Sequence, residues 1–127
     1  MSLEHQLELI GSRAERFRQL KEAYSNGEFS IKSTFESNDF FSLRDNLYSN
    51  GWKDMEIPQD LKEEAIWVLK ETEKLGFGLM KSPSEEERRQ NQKRYVEYFE
   101  RSEGVERKLY QIISDYKDKH PESETQN

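Results

Sequence analysis

Cysteine is absent from this 127-residue chain, which excludes disulfides, thiolate metal centres and a cysteine nucleophile. Histidine is scarce: His5 and His120 stand near opposite ends, and a Ser-His-Asp assembly needs an imidazole oriented by packing. Both are expected to be ordinary surface residues. No apolar run approaches the roughly 20 residues of a membrane span. Residues 1–11 carry Glu4 and Glu8 and lack the apolar core of a signal peptide, so the cytoplasm is the expected compartment. No phosphate-binding glycine loop, dinucleotide turn or zinc-ligand spacing occurs, and no cofactor is expected. An excess of basic charge is also missing. With 26 acidic against 20 basic residues the formal charge is −6, whereas a dedicated phosphate-backbone binder shows a net basic footprint.

Hydrophobic residues make up only 32% of the chain and charged residues 36%, against roughly 25% charged in an average domain. Disorder would fit that balance, but disordered chains are poor in aromatics. This chain holds seven Phe, six Tyr and two Trp, spread along its length, and each buried aromatic removes roughly 150–250 Å² from water. A thin core of large side chains under a charged exterior follows. The length fits one domain: residues 1–119 are read as a single helical-bundle domain and 120–127 as a flexible polar tail.

Helical periodicity dominates. Leu3, Leu7, Ile10, Ala14, Phe17 and Tyr24 alternate at spacings of four and three, an apolar stripe of period near 3.5. Gly11 lies beside the stripe, where it permits close approach, and Tyr24-Ser25-Asn26-Gly27 supplies a C-terminal stop. Residues 28–36, with Phe29, Ile31 and Phe35, alternate loosely. They are read as an extended connector, because a lone strand would leave its edges unpaired. A second helix is expected from Ser37 or Asn38 through Phe40, Phe41, Leu43 and Leu47 to a repeated Tyr48-Ser49-Asn50-Gly51. Two similar helix caps explain that repeat more simply than a duplication. A loop bearing Trp52, Met55 and Ile57 leads to Pro58, after which a third helix is expected from about Gln59. Its stripe of Leu61, Ala65, Val68 and Leu75 is widened by Ile66 and Leu69, enough for two neighbours.

In Ser82-Pro83-Ser84-Glu85, Ser82 is placed to cap a helix that begins at Pro83, with Glu85 completing a capping box. That helix is expected to reach about Lys119, some 55 Å at 1.5 Å per residue. Acid-first pairs at i,i+4 (Glu85–Arg89, Glu97–Arg101, Glu103–Arg107) support it. Its stripe turns: Leu109, Ile112, Ile113 and Tyr116 centre roughly 75° around from Tyr95, Val96 and Phe99, with no large apolar residue in Ser102-Glu103-Gly104. A kink or break is expected near Gly104. The fold class is therefore all-α, an antiparallel bundle of four to five helices with a long, kinked C-terminal helix, and Phe17, Val68, Leu69 and Phe99 in its core. Such a helix is longer than a domain with a radius of gyration near 13–14 Å. Either the first helix or a second chain must therefore cover its far end, and a homodimer or a stable hetero-complex is expected.

Three constellations invite functional readings. Glu97, Glu100, Glu103 and Glu106 form a ladder at three-residue spacing, a carboxylate pattern able to hold divalent metal in bundles. Its members drift around the helix and no Glu-x-x-His accompanies them, so a solvated face balanced by Arg101 and Arg107 is expected. Arg88, Arg89, Lys93 and Arg94 precede Tyr95 and Tyr98, a combination able to hold phosphates and stack bases. Glu85, Glu86 and Glu87 on one side and Glu97 and Glu100 on the other make local neutralisation the simpler account. Phe77, Leu79 and Met80, between and after Gly76 and Gly78, either cap the end of the core or offer a partner an apolar patch.

The favoured function is a non-enzymatic protein-interaction or regulatory module, with Phe77, Leu79, Met80, Ile112 and Ile113 as candidate partner-binding residues. A nucleic-acid-associated regulator using residues 88–94 is second, and a metal-dependent carboxylate enzyme third.

Overall fold

The structure is a computed structural model that describes residues 3–29, 56–75 and 84–120. Among these residues 87% are helical and none is in a strand. Four helices follow in chain order: α1 (Leu3–Ser25), α2 (Gln59–Lys74), α3 (Glu85–Gln90) and α4 (Gln92–Lys119). The helix expected around residues 38–47, the connector beyond Phe29, the apolar residues Phe77, Leu79 and Met80, and the tail after His120 lie outside the described residues.

Local chemistry accounts for the boundaries. α1 stops where Gly27 takes a positive φ of 80°. Gly27 N–H donates to the Tyr24 carbonyl at 3.1 Å and Glu28 N–H to the Ala23 carbonyl at 2.9 Å. These are the paired bonds of a left-handed glycine cap, as the Asn26-Gly27 signal leads one to expect. α2 begins directly after Pro58, whose carbonyl accepts from Leu61 and Lys62 at 3.1 Å each. The cap of α3 is a correction. Ser84, not Ser82, holds the N-cap position, and its hydroxyl accepts from Glu87 N–H at 3.1 Å. Ser84 and Glu87 repeat the Ser-x-x-Glu spacing two residues on, so two capping registers overlap in the sequence and the later one is used.

The interruption of the last helix is a second correction. α4 runs through Gly104 without a break; a Cβ there would meet nothing within 4 Å, so glycine at this site is a weak point in propensity only. The break falls at Asn91, with φ −109° and ψ 26°. The apolar stripe keeps its continuity past Glu103-Gly104 because Ser102 and Val105, each 1% exposed, are packed between Phe99 and Leu109.

α4 is the central element, with α1 and α2 against it. From α1, Gly11 lies beneath the Tyr110 ring, Arg13 meets Glu106, Phe17 meets Tyr98 and Phe99, and Tyr24 meets Tyr95. Rising numbers on α1 match falling numbers on α4, so this pair is antiparallel. From α2, Glu64 meets Arg101, Thr72 meets Tyr98 and Leu75 meets Tyr95, again antiparallel. One cluster unites Leu7, Ile10, Phe17, Leu20, Tyr24, Leu61, Val68, Tyr95, Phe99, Leu109 and Ile113. Phe17, Val68 and Phe99 are buried as expected; Leu69 is only partly buried at the edge of the core. Leu109 and Ile113, at 1% and 0% exposure, belong to this cluster. The cover that helix length alone would ask of a second chain comes, for these two, from within the chain.

Candidate functional site

The chemistry-bearing side chains gather first in the interior. Tyr98, Ser102 and Glu106 recur every fourth residue on one face of α4, and their exposures are 0%, 1% and 3%. Arg13 of α1, itself 5% exposed, closes the ladder at one end: its Nε donates to Glu106 Oε1 at 2.9 Å and its Nη2 to Oε2 at 3.1 Å. This is the two-pronged arginine–carboxylate geometry that makes charged hydrogen bonds strong. Thr72 of α2 closes the other end. Its hydroxyl donates to the Val68 carbonyl at 2.7 Å, which uses its one hydrogen, so the Tyr98 hydroxyl donates to Thr72 Oγ1 at 2.7 Å. Burial raises the Tyr98 phenol well above its ordinary pKa, and the Thr72 hydrogen bond opposes that only in part. Ser102 Oγ, buried in the middle of the ladder, lies beside the Tyr98 hydroxyl but makes no well-aligned hydrogen bond. A second inter-helix pair joins Glu71, 6% exposed, to Arg94. A polar line sealed to this degree fixes the register of α1 and α2 on α4; no substrate reaches it while the helices stay together.

At the surface the most organised feature is a platform on the α2–α4 seam. The Arg101 guanidinium lies over the Trp67 ring, 3.5 Å from its centroid. It is held there by Glu64, which accepts from Arg101 Nε and, at 2.9 Å, from Nη2, and by Glu97, which accepts from Nη1 at 3.1 Å. The hydrogen bond and charge of Arg101 hold the Glu64 carboxyl below the usual carboxylate range, against the upward push of burial, and Lys108 adds to the effect. Trp67 and Arg101 are both partly exposed.

The residues proposed from sequence fall in different places. Arg88, Arg89, Lys93 and Arg94 do not make one outward-facing basic patch. Arg89 pairs with Glu85 at 3.7 Å and Glu86 at 3.0 Å and lies over the Phe29 ring, 5.8 Å from its centroid. Arg94 pairs with Glu71, Arg88 sits beside the Tyr24 hydroxyl with its Nε buried, and Lys93 is exposed. In the carboxylate ladder each acid has its own cation: Glu97 has Arg101, Glu100 has Lys21 at 3.8 Å, and Glu103 has Arg107 at 2.7 Å. Glu106 departs from the expected solvated face, being interior and paired with Arg13. Among the described residues no three His, Asp or Glu side chains are grouped to hold a metal. His5 is exposed, 4.0 Å from Glu8. His120 stacks on Tyr116 with centroids 4.2 Å apart. Ile113 is fully buried and Ile112 partly buried against the same core.

Arg13, Thr72 and Ser102 did not stand out in the sequence. A signal is there for Arg13 and Glu106. Arg13 follows Ile10 by three and precedes Phe17 by four, and Glu106 precedes Leu109 by three and Ile113 by seven. Opposite charges set on two facing apolar stripes announce an interior pair. Among the described residues no helix is long and apolar enough to cross a membrane. No protein-family model matches the chain, and no curated protein or solved structure is significantly similar to it.

Proposed function

We propose that this chain is a non-enzymatic protein-interaction or regulatory module: a small cytoplasmic antiparallel helical bundle, with coiled-coil-like pairing of its first and last helices, that binds a protein partner or a second copy of itself. The Trp67–Arg101 platform carries this reading. Trp and Arg are the residue types most enriched at the energetic centres of protein interfaces, and here Glu64 and Glu97 hold the arginine over the ring before any partner arrives. A pre-formed platform lowers the ordering cost of binding. Phe77, Leu79 and Met80, close after α2 in the chain, are the second candidate contact. Ile112 is a marginal third, and Ile113 is taken up by the core.

Affinity capture from the source cell, comparing the natural chain with Arg101→Ala and Trp67→Ala, tests the proposal. A partner retained by the natural chain and lost from both folded variants supports it. Equal retention by all three moves the binding surface elsewhere, and capture of nucleic acid in a salt-dependent manner would replace the reading. Self-association is decided separately by light scattering after size exclusion. A mass near 15.2 kDa across a tenfold dilution from micromolar concentration rejects the homodimer.

A further inference from the structure

The junction between α3 and α4 is a helix broken at one residue without a helix-breaking sequence. Gln90-Asn91-Gln92 contains neither proline nor glycine. Asn91 N–H still donates to the Glu87 carbonyl and Tyr95 N–H to the Asn91 carbonyl, yet the bonds that Gln92 and Arg94 would make to the Arg88 and Gln90 carbonyls in a continuous helix are missing. Two side-chain bonds hold the bend. Asn91 Nδ2 donates to the Glu87 carbonyl at 2.9 Å, the backbone competition by which asparagine disfavours helix interiors. Gln92 Nε2 donates to the Tyr24 carbonyl at 2.7 Å, tying the start of α4 to the end of α1.

The bend lays α3 against an aromatic cluster at the end of α1. Tyr24 meets Phe29, Tyr95 and Phe99 with centroids 5.0–5.5 Å apart, and all four rings are at most 4% exposed. α3 itself buries no residue. It touches the cluster through Arg88 beside the Tyr24 hydroxyl and Arg89 over Phe29. Arg88 lies close enough to the Tyr24 hydroxyl to favour its ionised form, but Tyr24 Oη and Arg88 Nε, both buried, make no well-aligned hydrogen bond, so the seat is imperfect.

We infer that α3 is a lid hinged at Asn91, which exchanges between the bent form seen here and a form in which residues 85–119 make one helix and Tyr24 and Phe29 lose the cover of Arg88 and Arg89. The bent form keeps the two side-chain bonds, the cation–ring contact and the approach of Arg88 to Tyr24; the straight form gains the missing backbone bonds and returns the buried Arg88 Nε to water. With so few interactions on either side, small changes at the hinge shift the populations.

The absence of cysteine allows clean labelling. Spin labels at Glu22→Cys on α1 and Glu85→Cys on α3, both exposed residues, report the lid position by electron-electron resonance. Asn91→Leu removes the competing side chain and should move the population to a longer distance, with a gain in ellipticity at 222 nm. Arg89→Gln, which removes the cation over Phe29 and leaves both side-chain bonds of the hinge in place, should move it the same way. An unchanged distance in either variant that unfolds cooperatively overturns the lid. Should Asn91→Leu fail to fold, Arg89→Gln alone decides.

Discussion

At the residue scale, the Arg13–Glu106 pair has the largest foreseeable effects. Two charges within an apolar interface are tolerated because each satisfies the other through two hydrogen bonds. Removal of either breaks a two-pronged charged bond where water does not reach. Arg13→Ala and Glu106→Ala are each expected to cost about 3–5 kcal/mol, whereas the double replacement Arg13→Met with Glu106→Leu is expected to be neutral or stabilising. Urea denaturation of the four proteins checks this. Two single losses of under 1 kcal/mol would mean that the pair is solvated. Phe99→Ala, which removes a ring in contact with Phe17, Tyr24, Tyr95 and Tyr98, should cost about 3–5 kcal/mol on the same measurement. Phe99 was legible because apolar residues at spacings of three and four mark a buried face. Arg13 and Glu106 left only the faint mark of opposite charges set on apolar stripes, and Ser102 none, because such residue types are rarely buried and only a partner on another helix makes them so.

At the scale of elements, two glycines should respond in opposite senses. Gly104→Ala places a methyl group in open space within a helix and should stabilise the protein by about 0.5–1 kcal/mol. Gly27→Ala forces a side chain into the left-handed region and should cost about 1–2 kcal/mol. Thermal denaturation of both variants reads the two signs together. The cap at Gly27 was readable because Asn-Gly after an apolar stripe has few other uses. Gly104 misled for a related reason: glycine signals a break only when the chain needs an unusual backbone conformation there, and α4 does not. The break at Asn91 left no strong mark, since asparagine is only mildly unfavourable in helices and the bond from Gln92 to Tyr24 depends on the arrival of α1. The Trp67–Arg101 platform was likewise hidden, for its four members come from two helices.

For the molecule as a whole, alkaline pH should act through the tyrosines. Burial pushes the Tyr95 phenol up to about 12 and raises Tyr24 and Tyr98 as well. A phenol with a raised pKa in the fold stabilises the protein fully below its unfolded value near 10, and that contribution is lost as pH climbs from about 10 through the folded value. Each such group removes up to about 1.4 kcal/mol per pH unit in that window. Tyrosinate absorbance near 295 nm and ellipticity at 222 nm should therefore change together above pH 10. Ionisation of these phenols with helicity intact would show that the core admits solvent.

The pairing of α1 with α4 also has a consequence in time. Arg13 and Glu106 are 93 positions apart, so the main interface of the fold joins segments made at very different moments. At synthesis rates of about 5–20 residues per second, the Arg13 region waits roughly 5–20 s for the residues that will cover it. During that wait Leu7, Ile10, Phe17 and Tyr24 lack their α4 neighbours. The helix can form, but most of the stability of a helix in a protein comes from packing its apolar face, and that packing is still missing. Folding is then governed less by making helices, which takes microseconds, than by the late capture of α1 by a finished α4. Anything that binds an amphipathic helix has several seconds in which to compete.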